Sequence, residues 1–227
     1  MSDVTVNRAT TGTRSRPVPS EDVFQKFSDI LTYARTVWMR KTFPFAAFGQ
    51  GVSIDRSAEI RRRCAPRIKI GDQVYIGPDA WLNVPDVSPG TEPVLTLGNG
   101  CRIGRRCMIA ATNCVRLEED VLLAPSVLIT DHSHEFSDIE VPIHVQGLTS
   151  SGTVILERNT WLGHGVVIVC PSGTLVVGRN CVVGANSVVT RSIPPYSVVV
   201  GNPARVIKRF DLEAGKWVSV KDAPVRA

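Results

Sequence analysis

Apolar side chains recur along this chain at every sixth position. Leu97, Ile103, Ile109, Val115, Val121 and Val127 form one unbroken run; Ile70, Ile76 and Leu82 precede it, and Leu156, Leu162, Ile168 and then Val177, Val183, Val189 follow. Two residues before many of them stands a small or β-branched side chain: Val74, Ala80, Cys101, Cys107, Thr160, Val166, Cys181 or Ser187. Side chains two apart in an extended strand share a face, so both sets are expected to point inward. Glycine follows several of the aliphatics, as at Gly71, Gly98, Gly104 and Gly163, and is expected to take the corner, where it tolerates backbone angles that other residues resist. A helix does not fit, because a step of six residues turns by roughly 600° and scatters the set around the cylinder. The pattern predicts very short strands, three to a turn, coiling into a triangular prism filled by a continuous aliphatic stack. Such a solenoid needs several turns to be stable.

The pattern changes at the ends and breaks at three places. From Ser20 to Arg40 the apolar residues Val23, Phe24, Phe27, Ile30, Leu31, Ala34, Val37 and Trp38 follow helical spacing, with Ser20 as N-cap and Glu21 and Asp22 in the first turn. This helix is expected to lay its apolar face on the prism and cover the open end; anchoring to a membrane surface is the alternative. Val84 to Pro93 reads as a small proline-rich bulge. Between Ile168 and Val177 the chain holds three residues more than the repeat wants, with no account from the sequence. Residues 131–154 form the longest break, a loop carrying His132, His134 and His144, three of the four histidines. The expected organisation is an arm at 1–19, a helical segment at 20–50, an all-β solenoid at 51–210 and a short tail at 211–227.

Composition adds limits. At 227 residues and 43% hydrophobic, the chain is long enough for a sizeable core. Its apolar runs are far shorter than the roughly 20 residues a spanning helix needs, and Met1 to Pro19 holds no apolar signal core, so a cytoplasmic protein without an integral membrane segment is expected. Six cysteines without a CxxC pair read as reduced core thiols. The net charge of +5 gathers at Arg8, Arg14 and Arg16, at Arg61 to Arg63, and at Arg205, Lys208 and Arg209. Aromatics do not interleave with these residues and no nucleic-acid module accompanies them, so nucleic acid is not an expected partner.

The tandem [LIV]Gxxxx units, with the strings APSVLITDHSH, NTWLGHGVVI and VVGANSVVTRSIPPYSVVVGNPARVIK, resemble the hexapeptide-repeat acyltransferases over roughly Ile54 to Phe210. The likeness is to the galactoside, maltose and xenobiotic acetyltransferase branch, and more to the polysaccharide-type O-acetyltransferases within it. It implies a left-handed parallel β-helix, an exception to the right-handed crossover rule. It also implies acetyl-CoA as co-substrate without a metal, a sugar or glycoconjugate acceptor, and a homotrimer with active sites between subunits.

A histidine in a polar loop is by itself more often solvated than catalytic, but TDHSH matches the stretch in which this family carries its catalytic histidine. The resemblance therefore implies His132 as general base, with His134 as fallback; imidazole chemistry suits removing a proton from a sugar hydroxyl near neutral pH. Asp131 or Glu135, or a backbone carbonyl, can orient the ring. Backbone N–H groups near Gly163 and His164 are the expected oxyanion donors. Trp161 would wall the acceptor pocket or simply cover neighbouring coils. His164, Ala185, Thr190 and Arg191 would meet pantetheine. Past a turn at Gly201, Asn202 and Pro203, Arg205 and Lys208 would face the phosphates of CoA. Sugar acetyltransferases carry an acceptor-side asparagine where this chain has Ala110, with Asn113 a few residues on, which leaves the acceptor open. No cysteine lies in the loop, so direct transfer in a ternary complex is expected. The other readings are N-acetylation of an amino sugar, a zinc enzyme like the γ-type carbonic anhydrases, whose histidine spacing is missing here, and a non-catalytic scaffold.

Overall fold

The computed structural model describes residues 23–85, 90–149 and 151–220. Its body is a three-sided parallel β-helix. Face A holds the strands Ala47–Phe48, Ile68–Ile70, Leu95–Leu97, Cys114–Leu117, Ser151–Leu156 and Ser172–Val177. Face B starts at Ser53–Ile54 and runs through Tyr75–Ile76, Arg102–Ile103, Leu122–Leu123, Trp161–Leu162 and Val182–Val183 to Ser197–Val200. Face C holds Glu59–Ile60, Trp81–Asn83, Met108–Ala110, Leu128–Thr130, Val167–Val169 and Val188–Val189. Each coil donates to the next, as in Gly98 N to Leu117 O (2.8 Å), Arg102 N to Val121 O (2.9 Å) and Met108 N to Val127 O (2.8 Å). All the six-spaced aliphatics and their small partners are buried, at 1% exposure or less. Each such Leu or Ile contributes about 1.5–3 kcal/mol, so the stack carries the fold.

The corner glycines work differently from the sequence expectation. Gly71, Gly77, Gly98, Gly104, Gly163 and Gly184 are absent from the left-handed region; the residues with φ near +56° stand two places later, at Gln73, Asp79, Arg106 and Asn186, with Gly100 and Gly165 in the same position. The glycine is required by close approach of coils. A Cβ on Gly98 would stand 2.6 Å from the carbonyl carbon of Glu118, and one on Gly104 the same distance from Leu123 O. The small inward cysteines share this economy of space: the Sγ atoms of Cys101, Cys107 and Cys181 donate to Glu118 O, Ala124 O and Pro194 O at 3.0–3.2 Å. All six cysteines are free, and burial pushes the Cys101 thiol up to about 11.

All excursions leave one edge, between faces C and A. The 3-10 turn Arg62–Arg67, the proline-rich bulge, whose residues 86–89 lie outside the described set, and the histidine loop each join a C strand to the following A strand. The three extra residues after Ile168 have a place here too. They let Ser172–Val177 start early and pair with the equally long Ser151–Leu156, Ser151 opposite Ser172 and Gly152 opposite Gly173. Face A thus projects past the prism corner and underlies the base of the loop.

The helix runs Val23–Thr42, and its orientation corrects the sequence expectation. Ser20, Glu21, Asp22 and the side chains of Val23 and Phe24 lie outside the described residues. The buried positions are Thr36 and Met39, while Phe27, Ile30, Tyr33 and Trp38 are 61%, 62%, 72% and 54% exposed. The reason is polar. The first B strand has an open edge, and the Thr36 hydroxyl accepts from Ile54 N at 3.0 Å while Arg35 Nη2 donates to Ala58 O at 2.6 Å. Satisfying that edge fixes which side of the helix faces the rod. The open end is closed by Met39 together with Phe43, Phe45 and Phe48, which pack on the core.

At the other end, residues 211–220 are more than a tail. Arg205–Asp211 pairs antiparallel with Ser197–Val200 after a turn at 201–204, and Lys216–Ser219 pairs antiparallel with Arg205–Asp211, so face B continues as a hairpin.

Candidate active site

His132 stands where the chain leaves face C. Strand Leu128–Thr130 ends one residue before Asp131, whose side chain turns back into the prism and is 0% exposed. There it receives the N–H groups of Thr112 (2.9 Å), Asn113 (2.8 Å) and Cys114 (2.8 Å) and the Thr112 hydroxyl (3.1 Å), all from the tight corner of the coil below. His132 Nδ1 lies 2.8 Å from Asp131 Oδ1, with its side chain 12% exposed. Burial alone would raise the Asp131 carboxyl, but the hydrogen bonds from His132 and the three amides outweigh it and hold its pKa below the usual carboxylate range. A carboxylate only accepts, so Nδ1 carries a proton, and in the neutral ring the lone pair is then on Nε2. Thr130 Oγ1 lies 3.1 Å from Nδ1 and donates to His132 O at 3.0 Å.

Beyond His132 the loop opens as a narrow antiparallel ribbon. Ser133 N donates to Thr149 Oγ1, Thr149 N to Ser133 O and Glu135 N to Gly147 O, with His134 bridged to Leu148. His134 is exposed, and Glu135 lines a cleft of about 510 Å³ with Ser133, Phe136, Thr149, Pro171 and Ser172, between the ribbon and the projecting part of face A. Of the alternatives for orienting the ring, Asp131 is the group in contact with it.

The returning strand passes a tight neck. Gly152 lies between the carbonyls of Asp131 and Cys170, so closely that a Cβ there would overlap both oxygens. Asn113 Nδ2 donates to Gly152 O at 2.8 Å, which ties this side chain to the neck. Gly152→Ala is therefore expected to lower unfolding stability by roughly 3 kcal/mol or more, read from urea denaturation, whereas Gly147→Ala, with open space around it but φ of +93°, should cost far less.

The remaining sequence-predicted residues are dispersed. Gly163, His164 and Ala185 occupy the edge between faces B and C; Thr190 and Arg191 follow the last C strand; Arg205 and Lys208 are exposed on the strand Arg205–Asp211. Gly163 donates its N–H to Val183 O at 2.8 Å, and Gly165 to Pro125 O at 3.1 Å. That removes Gly163 as an oxyanion donor. Trp161 is 47% exposed on face B, between Leu122 and Val182. It borders hollows of about 260 Å³, with Arg102 and Asn159, and about 400 Å³, with Tyr196, Phe210 and Trp217. In a three-sided prism the edge between C and A is opposite face B, so one chain cannot bring His132 and Trp161 into a single pocket. Among the described residues no three His, Cys, Asp or Glu side chains converge as metal ligands. The sequence missed Thr112, Thr130 and Gly152. Thr130 lies within the string that pointed to His132, but nothing in AATN marked Thr112 as a donor to a carboxylate one coil away.

A family model described as the hexapeptide repeat of succinyl-transferase matches residues 153–191. Curated relatives include a probable acetyltransferase, Rv3034c, of Mycobacterium tuberculosis, 33% identical over 72% of this chain and 50% of that protein. The putative lipopolysaccharide biosynthesis O-acetyl transferase WbbJ of Escherichia coli is 36% identical over 55% of this chain and 65% of that one. The match thus spans about half to two thirds of the length of these two relatives. The galactoside O-acetyltransferase of Escherichia coli is 30% identical over 67% of this chain and 71% of its own. Among solved structures, a point mutant of AntD, an N-acyltransferase from Bacillus cereus, in complex with dTDP and coenzyme A, superposes with a TM-score of 0.63 over 78% of this chain and 91% of that one. Its 21% identity speaks for the fold alone. Repeat, coil geometry and the match to the galactoside enzyme agree: the chain belongs to the hexapeptide-repeat acyltransferase family, with its left-handed parallel β-helix fold.

Proposed function

We propose that this protein transfers an acetyl group from acetyl-CoA to a hydroxyl of a sugar or glycoconjugate precursor, with His132 as general base. The observation that carries the reading is the Asp131–His132 pair: a buried carboxylate holds the imidazole by Nδ1 and leaves Nε2 outside that bond, on the edge from which the loop departs. Nε2 takes the proton of the acceptor hydroxyl as its oxygen attacks the thioester carbonyl. The C–S bond then breaks, and the imidazolium returns the proton to the CoA thiolate. The His164 N–H is the proposed oxyanion donor. Gly163, His164, Ala185, Thr190 and Arg191 would line the pantetheine path, and Arg205 and Lys208 would meet the phosphates. Asn113 and Trp161 are assigned to the acceptor side.

The opposed positions of His132 and Trp161 support a closed homotrimer in which one copy supplies the base and its neighbour the tryptophan. The relatives named as O-acetyltransferases support a hydroxyl acceptor. N-acetylation of an amino sugar is the second reading, favoured by AntD's description as an N-acyltransferase. The test is thiol release from acetyl-CoA against matched sugars and amino sugars. Turnover with sugars is expected, and mixing inactive His132→Ala with inactive Trp161→Ala protein should restore part of it. Release with amino sugars alone sinks the hydroxyl assignment. Failure of mixed oligomers to regain activity sinks the shared site.

A further inference from the structure

The helix stripe is exposed because the opposite side of the helix is occupied. Thr36 and Arg35 are committed to Ile54 and Ala58, and Met39 is fully buried, so rotating the helix to bury Phe27 or Ile30 would break those contacts. What remains outside is a continuous apolar band. Phe27, Ile30, Ala34 and Trp38 fall at helical spacing, Tyr33 flanks them, and Leu31 and Val37 are only half-buried.

The surroundings are cationic. Between residues 23 and 63 the chain carries eight basic residues against three acidic ones. Arg40 and Lys41 fill the last helical turn, and the exposed run Arg61, Arg62, Arg63 follows the strand Glu59–Ile60, next to the Ala58 carbonyl that Arg35 grips. Stripe and arginines therefore belong to the same end of the rod. A second copy docking there would bring two cationic ends together, at a Coulomb cost that grows as water is excluded. An anionic lipid surface meets both features at once: aromatics enter the headgroup boundary while Lys and Arg reach phosphates. No described helix is long and apolar enough to cross a membrane, which fits lying on the surface rather than spanning it.

We propose that this end of the rod is a docking surface for anionic phospholipid bilayers, with the helix Val23–Thr42 lying in the interface. The inference does not depend on the acyl-transfer reading. The test is co-sedimentation of the full chain with phosphatidylcholine vesicles, with and without phosphatidylglycerol. Binding to the anionic vesicles is expected, falling about tenfold or more in the double variant Phe27→Asp, Ile30→Asp, and also on replacing Arg61, Arg62 and Arg63 by Gln. Thermal midpoint and light-scattering mass should stay unchanged in both variants. Three outcomes would overturn it: no sedimentation with either vesicle; undiminished sedimentation of the Asp variant, which reduces the attraction to bulk charge; or a changed mass in that variant, which makes the stripe a contact between copies.

Discussion

His132→Ala is expected to lower kcat for acetyl transfer by about a hundred- to ten-thousandfold, with CoA affinity nearly unchanged and stability lowered by roughly 1–3 kcal/mol. The reasoning rests on position. The ring is only 12% exposed and bonds Asp131 through Nδ1, so its removal takes away the proton acceptor and also some packing and one partner of the buried carboxylate. His134→Ala should leave kcat within about threefold, since that side chain is exposed on the ribbon, two residues beyond His132. The measurement is steady-state thiol release with saturating acetyl-CoA. Full turnover of the His132 variant together with collapse of the His134 variant would move the base two residues along the chain.

Asp131 is expected to show the second large effect, and on two readouts. Asp131→Asn retains volume but presents an N–H toward amides and an imidazole that need an acceptor. Activity should fall on the order of a hundredfold, through a wrongly oriented or wrongly protonated ring. Stability should fall as well, by roughly 3 kcal/mol, because the N–H groups of Thr112, Asn113 and Cys114 lose the common charged partner that is itself buried. The pH dependence follows from sign. The carboxyl's folded pKa lies below its ordinary value, so its contribution is fully present above the unfolded carboxylate range and is lost as pH falls through the lowered folded value. Denaturant midpoints of wild type and Asp131→Asn should therefore converge in acid and stay apart at neutral pH. A constant gap across that range would mean that the charge on Asp131 does not carry the clamp.

The repeat was legible because each coil asks the same of the same position. One buried aliphatic every six residues leaves a periodic trace, and Leu97 through Val127 is enough to give the coil length. Corner chemistry was less legible: glycine at position 98 or 104 looks the same whether a positive φ or a neighbouring coil demands it, and only the contact with Glu118 or Leu123 distinguishes the two. The helix failed for a related reason. Its apolar spacing was read correctly, but the partner that decides its rotation is a backbone amide, Ile54 N, which no side-chain pattern records. At the site, Asp131 and His132 are neighbours in sequence and could be paired on sight. Their anchor in Thr112–Cys114 and the opposition of Trp161 across the prism are separations of one coil and one rod width, and they emerge only when the coils are stacked.

Because every departure from the coil lies on a single edge, residues 133–149 are held at both ends by contacts they do not themselves supply, Asp131 on the way out and Gly152 on the way back. The rod works as a socket. Exchanging that segment for one of another length or composition should retune which acceptor is admitted, while the aliphatic column, laid down coil by coil behind it, registers no change.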